Sequence, residues 1–92
     1  MPTPFEIESL TPDGVVFRRQ AEILTVLAEE GSLGVMAGHQ PMVAVLRSPS
    51  TVRLTQGGEK NEYRLLEGIL HVKKGRALLL AGAAEPVKTY DR

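Results

Sequence analysis

The chain has 92 residues, balanced charge and no cysteine, and these properties exclude several classes of protein. Its 11 Lys and Arg residues match 11 Asp and Glu residues, whereas dedicated nucleic-acid binders normally carry a basic excess. The absence of cysteine excludes disulfide frameworks, cysteine–zinc clusters and thiol nucleophiles. The length fits one small domain, which buries a modest share of its surface, so we expect either marginal stability of the monomer or a partner that covers part of it.

The first part of the chain alternates short apolar runs with turn residues. Phe5 to Leu10 has the period of a half-buried strand, and Thr-Pro-Asp-Gly at 11–14 forms a turn because Pro presets φ and Gly tolerates positive φ. Further strands are predicted from Val15 to Phe17 and from Ala21 to Ala28. A helix over Arg18 to Glu30 is the alternative, but it lacks a capping residue and its Ile-Leu-Thr-Val-Leu run is equally good strand material.

The second part of the chain continues this pattern. Gln-Gly-Gly-Glu at 56–59 is a hairpin signal, and Lys-Lys-Gly-Arg at 73–76 forms another turn. The strands predicted around these turns are 51–55, 62–66, 69–72 and 77–81. About seven or more short strands, with turns about 8–12 residues apart, indicate an all-β sandwich or barrel.

Neither histidine has the neighbours that catalysis or metal binding requires. His71 alternates with Leu70 and Val72, so we expect it to face solvent. As a general base, His39 would need a nucleophile and an orienting carboxylate, and the adjacent sequence supplies neither. No phosphate-binding loop is present, and the basic turn at 73–76 lacks interleaved aromatic residues. These residues therefore offer no candidate catalytic site, and we expect no metal and no cofactor.

From Gly31 to Leu46 the chain carries no charged residue, and this stretch is the least ordinary part of the sequence. Glycines and a proline interrupt it, so it is not a membrane helix. A segment that includes Met36, Gly38, Pro41 and Met42 should be partly exposed. Charge depletion with methionine enrichment is typical of the centre of a protein–protein interface, but core packing explains the apolar residues equally well.

Five motifs, in order and spacing, resemble the epsilon subunit of F-type ATP synthases. They are Thr-Pro-Asp-Gly at 11–14, Glu-Glu-Gly-Ser-Leu-Gly-Val at 29–35, Gly-His-Gln-Pro at 38–41, Gly-Ile-Leu-His-Val at 68–72 and Leu-Ala at 80–81. The resemblance runs from about Phe5 to Glu85 and concerns the N-terminal domain of that subunit. It implies a flattened β-sandwich of two roughly five-stranded sheets, with a domain over 1–86 and a short tail over 87–92.

The resemblance also implies a function. In this family the domain belongs to a non-catalytic rotor subunit and lies at the foot of the central stalk. There it links the gamma subunit to the membrane c-ring and supports ATP synthesis coupled to ion transport. Through the complex it would meet the catalytic alpha and beta head. Its expected position is peripheral, on the cytoplasmic face of the bacterial inner membrane or an equivalent energy-coupling membrane, without nucleic acid.

Two sets of contact residues follow from the motifs of the family. The set expected at the c-ring is Glu29, Glu30, Gly31, Ser32 and Leu33. The set expected toward the gamma subunit is Gly38, His39, Pro41 and Met42.

The chain departs from the family pattern at several positions. Ser32 stands where the family usually has an acidic residue that meets basic c-ring residues, and Glu29 and Glu30 would supply the charge instead. Other departures are Ala37 for proline, Leu-Glu-Gly at 66–68 for Ser-Gly-Gly, and Gly82 for aspartate. Family members typically continue into a regulatory two-helix hairpin, which the few residues after Pro86 cannot form; a naturally short chain and a truncated one both fit.

Two other functions compete with this interpretation. A free-standing β-sandwich could bind a ligand or a protein, but carbohydrate-binding faces usually display exposed aromatic residues, and the chain has no Trp and two Tyr. A small barrel enzyme of the cupin type would need clustered metal ligands, which two isolated histidines do not provide.

Overall fold

The computed structural model describes residues 3–87, and every regular element in that range is a β-strand. Within this range no helix is long and apolar enough to cross a membrane. The predicted turns at 11–14, 56–59 and 73–76 each join two antiparallel strands. The strands are β1 Phe5–Thr11, β2 Gly14–Ala21, β3 Ile23–Ala28, β4 Gly31–Met36, β5 Met42–Val45, β6 Ser50–Gln56, β7 Glu59–Lys73 and β8 Arg76–Pro86.

The strands follow the apolar alternation of the sequence, but β4 and β5 lie in the charge-free stretch, where no strand was predicted, and two other predictions differ from the structure. The helical alternative for Arg18 to Glu30 is wrong, since this segment contains the end of β2 and all of β3. The separate strands predicted at 62–66 and 69–72 are one strand, β7, of 15 residues. The predicted tail over 87–92 lies outside the described residues except for Val87, whose N–H donates to the Glu62 carbonyl at 2.9 Å.

The hydrogen bonds join the strands into one eight-stranded sheet in the order β2-β1-β8-β7-β6-β3-β4, with β5 also paired to β7. The two long strands divide it into halves. One half contains β2, β1, the 76–81 part of β8, the 68–73 part of β7, and β5. The other contains the 83–86 part of β8, the 59–66 part of β7, β6, β3 and β4. The expected two sheets are therefore continuous through β7 and β8.

The corner between the halves lies where Glu67 and Gly82 interrupt the pairing of β7 with β8. Glu67 has a φ of 54°, which L residues with a side chain rarely adopt. Beside it, a Cβ on Gly68 would lie 3.2 Å from Cδ1 of Leu46, so the absence of a side chain lets Leu46 pack close to the corner. Both features fit a site where two strands change direction.

A single apolar core lies between the two halves. It includes fully buried residues of each half, such as Ile7 and Leu79 on one side and Leu24 and Val52 on the other. Apolar residues sit at alternate positions of the strands because successive side chains point to opposite faces. Burial of both inner faces against each other makes the molecule a sandwich.

An aromatic pair connects the two halves near the edge of this core. The rings of Phe17 on β2 and Tyr63 on β7 stack with centroids 4.2 Å apart and an angle of 25° between their planes. Arg19 Nε donates to the Tyr63 hydroxyl at 3.0 Å, so the polar end of this buried ring has a partner.

Candidate interaction surface

The β3–β4 hairpin presents two acidic residues at its tip. Ala28 pairs with Gly31, so Glu29 and Glu30 form a two-residue turn, and both are exposed. Gly31 has a φ of 136°, a conformation that glycine adopts without the cost of a side chain. In the described range neither glutamate forms an ion pair, so two acidic groups at this tip are available to a partner.

A short loop at 37–41 joins β4 to β5. Gly38 at its centre has a φ of 85°, and the His39 N–H donates to the Met36 carbonyl at 3.0 Å. The His39 Nδ1 lies 2.8 Å from the carbonyl oxygen of Gln40, which orients the ring on the outside of the loop. The loop is therefore a defined turn that presents a half-buried imidazole.

A groove of about 500 Å³ lies between the beginning of β4 and the length of β5. All five residues expected at the c-ring line it, and Met42, which was expected toward the gamma subunit, lines it as well. The structure thus brings members of both predicted contact sets to one groove. Its lining residues are Ala28, Glu29, Glu30, Gly31, Ser32, Leu33, Met42, Val43, Ala44 and Val45.

Gly38 and His39 lie at the other end of β4, around a smaller depression. β4 has six residues, so about 17 Å separates its ends at about 3.3 Å per residue. Lys73, Gly75 and Arg76 of the β7–β8 turn line the same depression, which makes this end of the surface basic. Pro41 is exposed in the loop and lines neither concavity.

The charges at the basic end differ in how far they are neutralised. Arg76 Nη2 lies 3.9 Å from Glu8 Oε1, and the same glutamate accepts a 2.6 Å hydrogen bond from Arg18 Nη2. This hydrogen bond to Glu8 raises the pKa of the Arg18 guanidinium above its ordinary value. Lys73 and Lys74 form no ion pair within residues 3–87, so they contribute most of the free positive charge.

The charge-free stretch proves to be both core and surface. Val35 and Leu46 are buried, whereas Val43 on β5 is 63% exposed and Val45 is 51% exposed. The sequence left core and interface open for these two valines, and their alternation with Met42 and Ala44 was the signal that could have decided between them. The stretch therefore contributes apolar surface along an edge strand, which is where other chains can pair.

The histidines do not belong to a clustered polar site. His71 alternates with the buried Leu70 and Val72 as expected, but it is half-buried on β7, opposite Val43, where we expected it to face solvent. Between residues 3 and 87, no three His, Asp or Glu side chains lie together in a way that could hold a metal ion. The geometry on this side of the molecule offers concave surface, edge strands and charges at two ends.

Comparison with protein families matches residues 4–87 to the β-sandwich domain of the ATP synthase delta/epsilon chain. Among curated proteins, the chain is 34% identical over 88 residues to the ATP synthase epsilon chain of Caldicellulosiruptor saccharolyticus, covering 96% of this chain and 64% of that protein. It is 36% identical over 87 residues to the epsilon chain of Bacillus cytotoxicus, covering 95% and 65% respectively. The chain thus spans less than two thirds of the length of these relatives.

Two solved assemblies contain chains of the same fold. A chain of the Euglena gracilis mitochondrial ATP synthase, in a structure with its OSCP, F1 and c-ring, superposes with a TM-score of 0.85 at 24% identity, over 99% of this chain and 58% of that one. A chain of the Tetrahymena thermophila mitochondrial ATP synthase central stalk and c-ring gives 0.67 at 16% identity, over 87% and 64%. At these identities the likeness is one of fold.

Proposed function

The chain belongs to the family of ATP synthase delta/epsilon chain β-sandwich domains, and on this basis we propose that it is a non-catalytic rotor subunit of an F-type ATP synthase. In this role it links the gamma subunit to the c-ring in the central stalk and supports ATP synthesis coupled to ion transport. The observation that carries the proposal is the family match over 4–87, together with relatives that are named ATP synthase epsilon chain.

The two ends of the β4–β5 side take separate partners in this proposal. Glu29, Glu30 and the adjoining 31–33 segment contact the c-ring, with the two glutamates in place of the acidic residue that Ser32 replaces. Gly38, His39, Pro41 and Met42 contact the gamma subunit. The separation of about 17 Å along β4 supports this division for the loop residues Gly38 and His39, whereas Met42 lines the same groove as the residues assigned to the c-ring.

The continuity of the sheet suits a part that must transmit torque. β7 and β8 run through both halves, so a force applied to one half passes to the other along covalent backbone as well as through the core. The subunit acts by holding its partners in a fixed relation, and it is attached to the energy-coupling membrane peripherally, on the cytoplasmic face in a bacterium.

Co-purification tests the proposal. The chain is tagged in its native cell, membranes are solubilised mildly, and the recovered proteins are identified by mass spectrometry. We expect the gamma subunit, the catalytic alpha and beta subunits and the c-ring in constant proportion to the tagged chain. Recovery of the chain alone from the soluble fraction would contradict the rotor function and favour a free-standing binding module.

A further inference from the structure

The outer edge of β5 carries backbone groups that no strand pairs within residues 3–87. The Leu46 N–H donates to the Gly68 carbonyl at 3.0 Å, so residue 46 directs its polar groups toward β7. In an antiparallel ladder this direction alternates along the strand. The backbone N–H and C=O of Ala44 and Met42 therefore also point toward β7, whereas those of Val43 point away from it. The bond from the Glu29 N–H to the Val45 carbonyl, 3.0 Å long, agrees with this alternation.

The same edge forms one wall of the 500 Å³ groove. β5 pairs with β7, and in the described part of the chain its other side is reached only at its last residue, where the Glu29 N–H bonds to Val45 beside the bridge between Ala28 and Leu46. Its four residues span about 10 Å from the first Cα to the last at about 3.3 Å per residue, and the open part lies around Val43. The groove therefore offers the N–H and C=O of Val43, the kind of backbone pair to which an added strand bonds.

The charge of the lining indicates the chemistry of the occupant. Glu29 and Glu30 are the two charged residues among those that line the groove, and each is exposed. The remaining lining side chains are apolar apart from Ser32. An occupant with apolar and positively charged side chains complements this surface, whereas an acidic one is repelled.

We propose that this groove is a β-augmentation site, in which a partner protein adds an extended basic segment to the outer edge of β5. Val43 supplies the backbone hydrogen bonds, and Glu29 and Glu30 pair with lysine or arginine side chains of the segment. This inference rests on the proposed function, because it specifies how the surface assigned to the c-ring holds its partner. It adds main-chain pairing to what would otherwise be a contact between side chains.

Peptide titration tests the charge requirement on the full 92-residue chain. The probes are two end-blocked peptides, Val-Lys-Val-Lys-Val and Val-Glu-Val-Glu-Val, followed by amide chemical shifts in nuclear magnetic resonance. The lysine peptide should bind and shift the signals of 29–33 and 42–45, and the glutamate peptide should bind at least about tenfold more weakly. The double variant E29K with E30K reverses both charges, so it should bind the glutamate peptide more tightly than the lysine peptide. Equal binding of the two peptides, or none of either, would overturn the proposal.

Val43→Pro tests the backbone contact. Proline lacks the N–H that points into the groove, while the bonds from β5 to β7 remain, as proline on an edge strand allows. Affinity for the lysine peptide should fall by about tenfold, the effect of losing one backbone hydrogen bond. Val43→Thr is the matched control, since it keeps the N–H and nearly the same shape, and it should bind like the original chain. If both variants bind alike, the contact does not use the backbone.

Two further measurements distinguish the added strand from a second copy of the chain and from a contact made by side chains alone. If Val43→Pro unfolds the chain, the exchange of preference in E29K with E30K still decides the outcome. Sedimentation across protein concentrations reveals whether a second copy occupies β5; a dimer that Val43→Pro abolishes would overturn the proposal. A Val43→Pro chain that is recovered with the c-ring at the original yield would refute the added strand and leave the proposed function intact.

Discussion

Two buried serines, Ser9 and Ser50, differ in whether their hydroxyl groups have partners. Both are fully buried. Ser50 Oγ donates to the Leu27 carbonyl at 2.9 Å and accepts from the Leu27 N–H at 3.2 Å. Ser9 Oγ is the buried side-chain polar atom that lacks a hydrogen-bond partner in the described range. Since an unpaired polar group is costly to bury, the same substitution should have opposite effects at the two sites.

We expect Ser9→Ala to raise the free energy of unfolding by about 1 kcal/mol, because it removes an unsatisfied hydroxyl. Ser50→Ala should lower it by about 1–3 kcal/mol, because it removes the acceptor of the Leu27 N–H, while the Leu27 carbonyl keeps its bond from the Arg47 N–H. Urea denaturation at constant temperature measures both. A loss of stability in Ser9→Ala would indicate that the hydroxyl is satisfied by ordered water.

The backbone at Glu67 is a second feature at this scale. Its φ of 54° costs a residue with a side chain about 1–2 kcal/mol relative to glycine, and the greater freedom of glycine in the unfolded chain offsets part of that. Glu67→Gly should therefore stabilise the protein by about 0.5–1 kcal/mol, as measured by urea denaturation. Glu67→Ala retains the strain and serves as the control. An equal gain in both variants would attribute the effect to the glutamate side chain.

At the level of strands, the sequence predicted the turns but not which strands pair or where one strand continues through both halves of the sheet. The turns at 11–14, 56–59 and 73–76 carry residues whose backbone preferences act locally, and all three are confirmed. The break predicted between 62–66 and 69–72 coincides with the corner at Glu67, but no local sign in the sequence indicated that one strand continues through it. Ile23–Ala28 suits helix and strand equally by composition, and its pairing with β4 and β6 decides between them.

The loop between β4 and β5 provides the prediction at this level. Gly38 has a φ of 85°, and a Cβ added at this position would have no atom within 4 Å, so substitution there strains the backbone without a clash. Gly38→Val should lower the free energy of unfolding by about 1–2 kcal/mol, and Gly38→Asn by less, since Asn tolerates this conformation better. Gly38→Val should also shift His39 from its position on the loop, so binding to the gamma subunit should weaken.

Gly34 is the matched control for the loop glycine. It lies in β4 with equally open surroundings and without a positive φ. Gly34→Ala should therefore leave stability unchanged or raise it by up to about 1 kcal/mol. Thermal unfolding of the variants compares them directly. A Gly38→Val chain with the original melting temperature and the original affinity for the gamma subunit would refute the role of this loop.

For the molecule as a whole, the family motifs predicted the contact residues, and the fold determined which of these residues lie next to one another. The sequence could not show that Glu29 and Met42 line one groove, because β4 and β5 come together through pairings with different strands. Nor could it show that the basic turn at 73–76 lies beside His39. The division of contacts between two partners stays a prediction.

This division predicts separable losses in the assembled complex. E29K with E30K should reduce recovery of the c-ring while recovery of the gamma subunit persists. His39→Asp should do the reverse, by about tenfold or more in affinity, because an unpaired charge in an interface costs several kcal/mol. Quantitative mass spectrometry of the co-purified subunits measures both. Met42→Asp is a poorer probe, since Met42 packs against the core and its loss destabilises the fold.

If E29K with E30K and His39→Asp each reduced recovery of the c-ring and of the gamma subunit equally, the two ends would not act as separate surfaces. Thermal unfolding of the purified variants is the control, since the exposed Glu29 and Glu30 and the loop residue His39 should tolerate substitution with little change in melting temperature.

The parallel pairing of β1 with β8 has a consequence for how the chain acquires its structure. Glu6 lies opposite Arg76, and Leu10 opposite Leu80, so the first strand receives its central neighbour only after nearly the entire described chain is available. Contacts between such distant positions form slowly, because a long loop must close first. During synthesis the β1–β2 hairpin remains open on one side until β8 is available, so we expect premature aggregation of the nascent chain to begin at this edge.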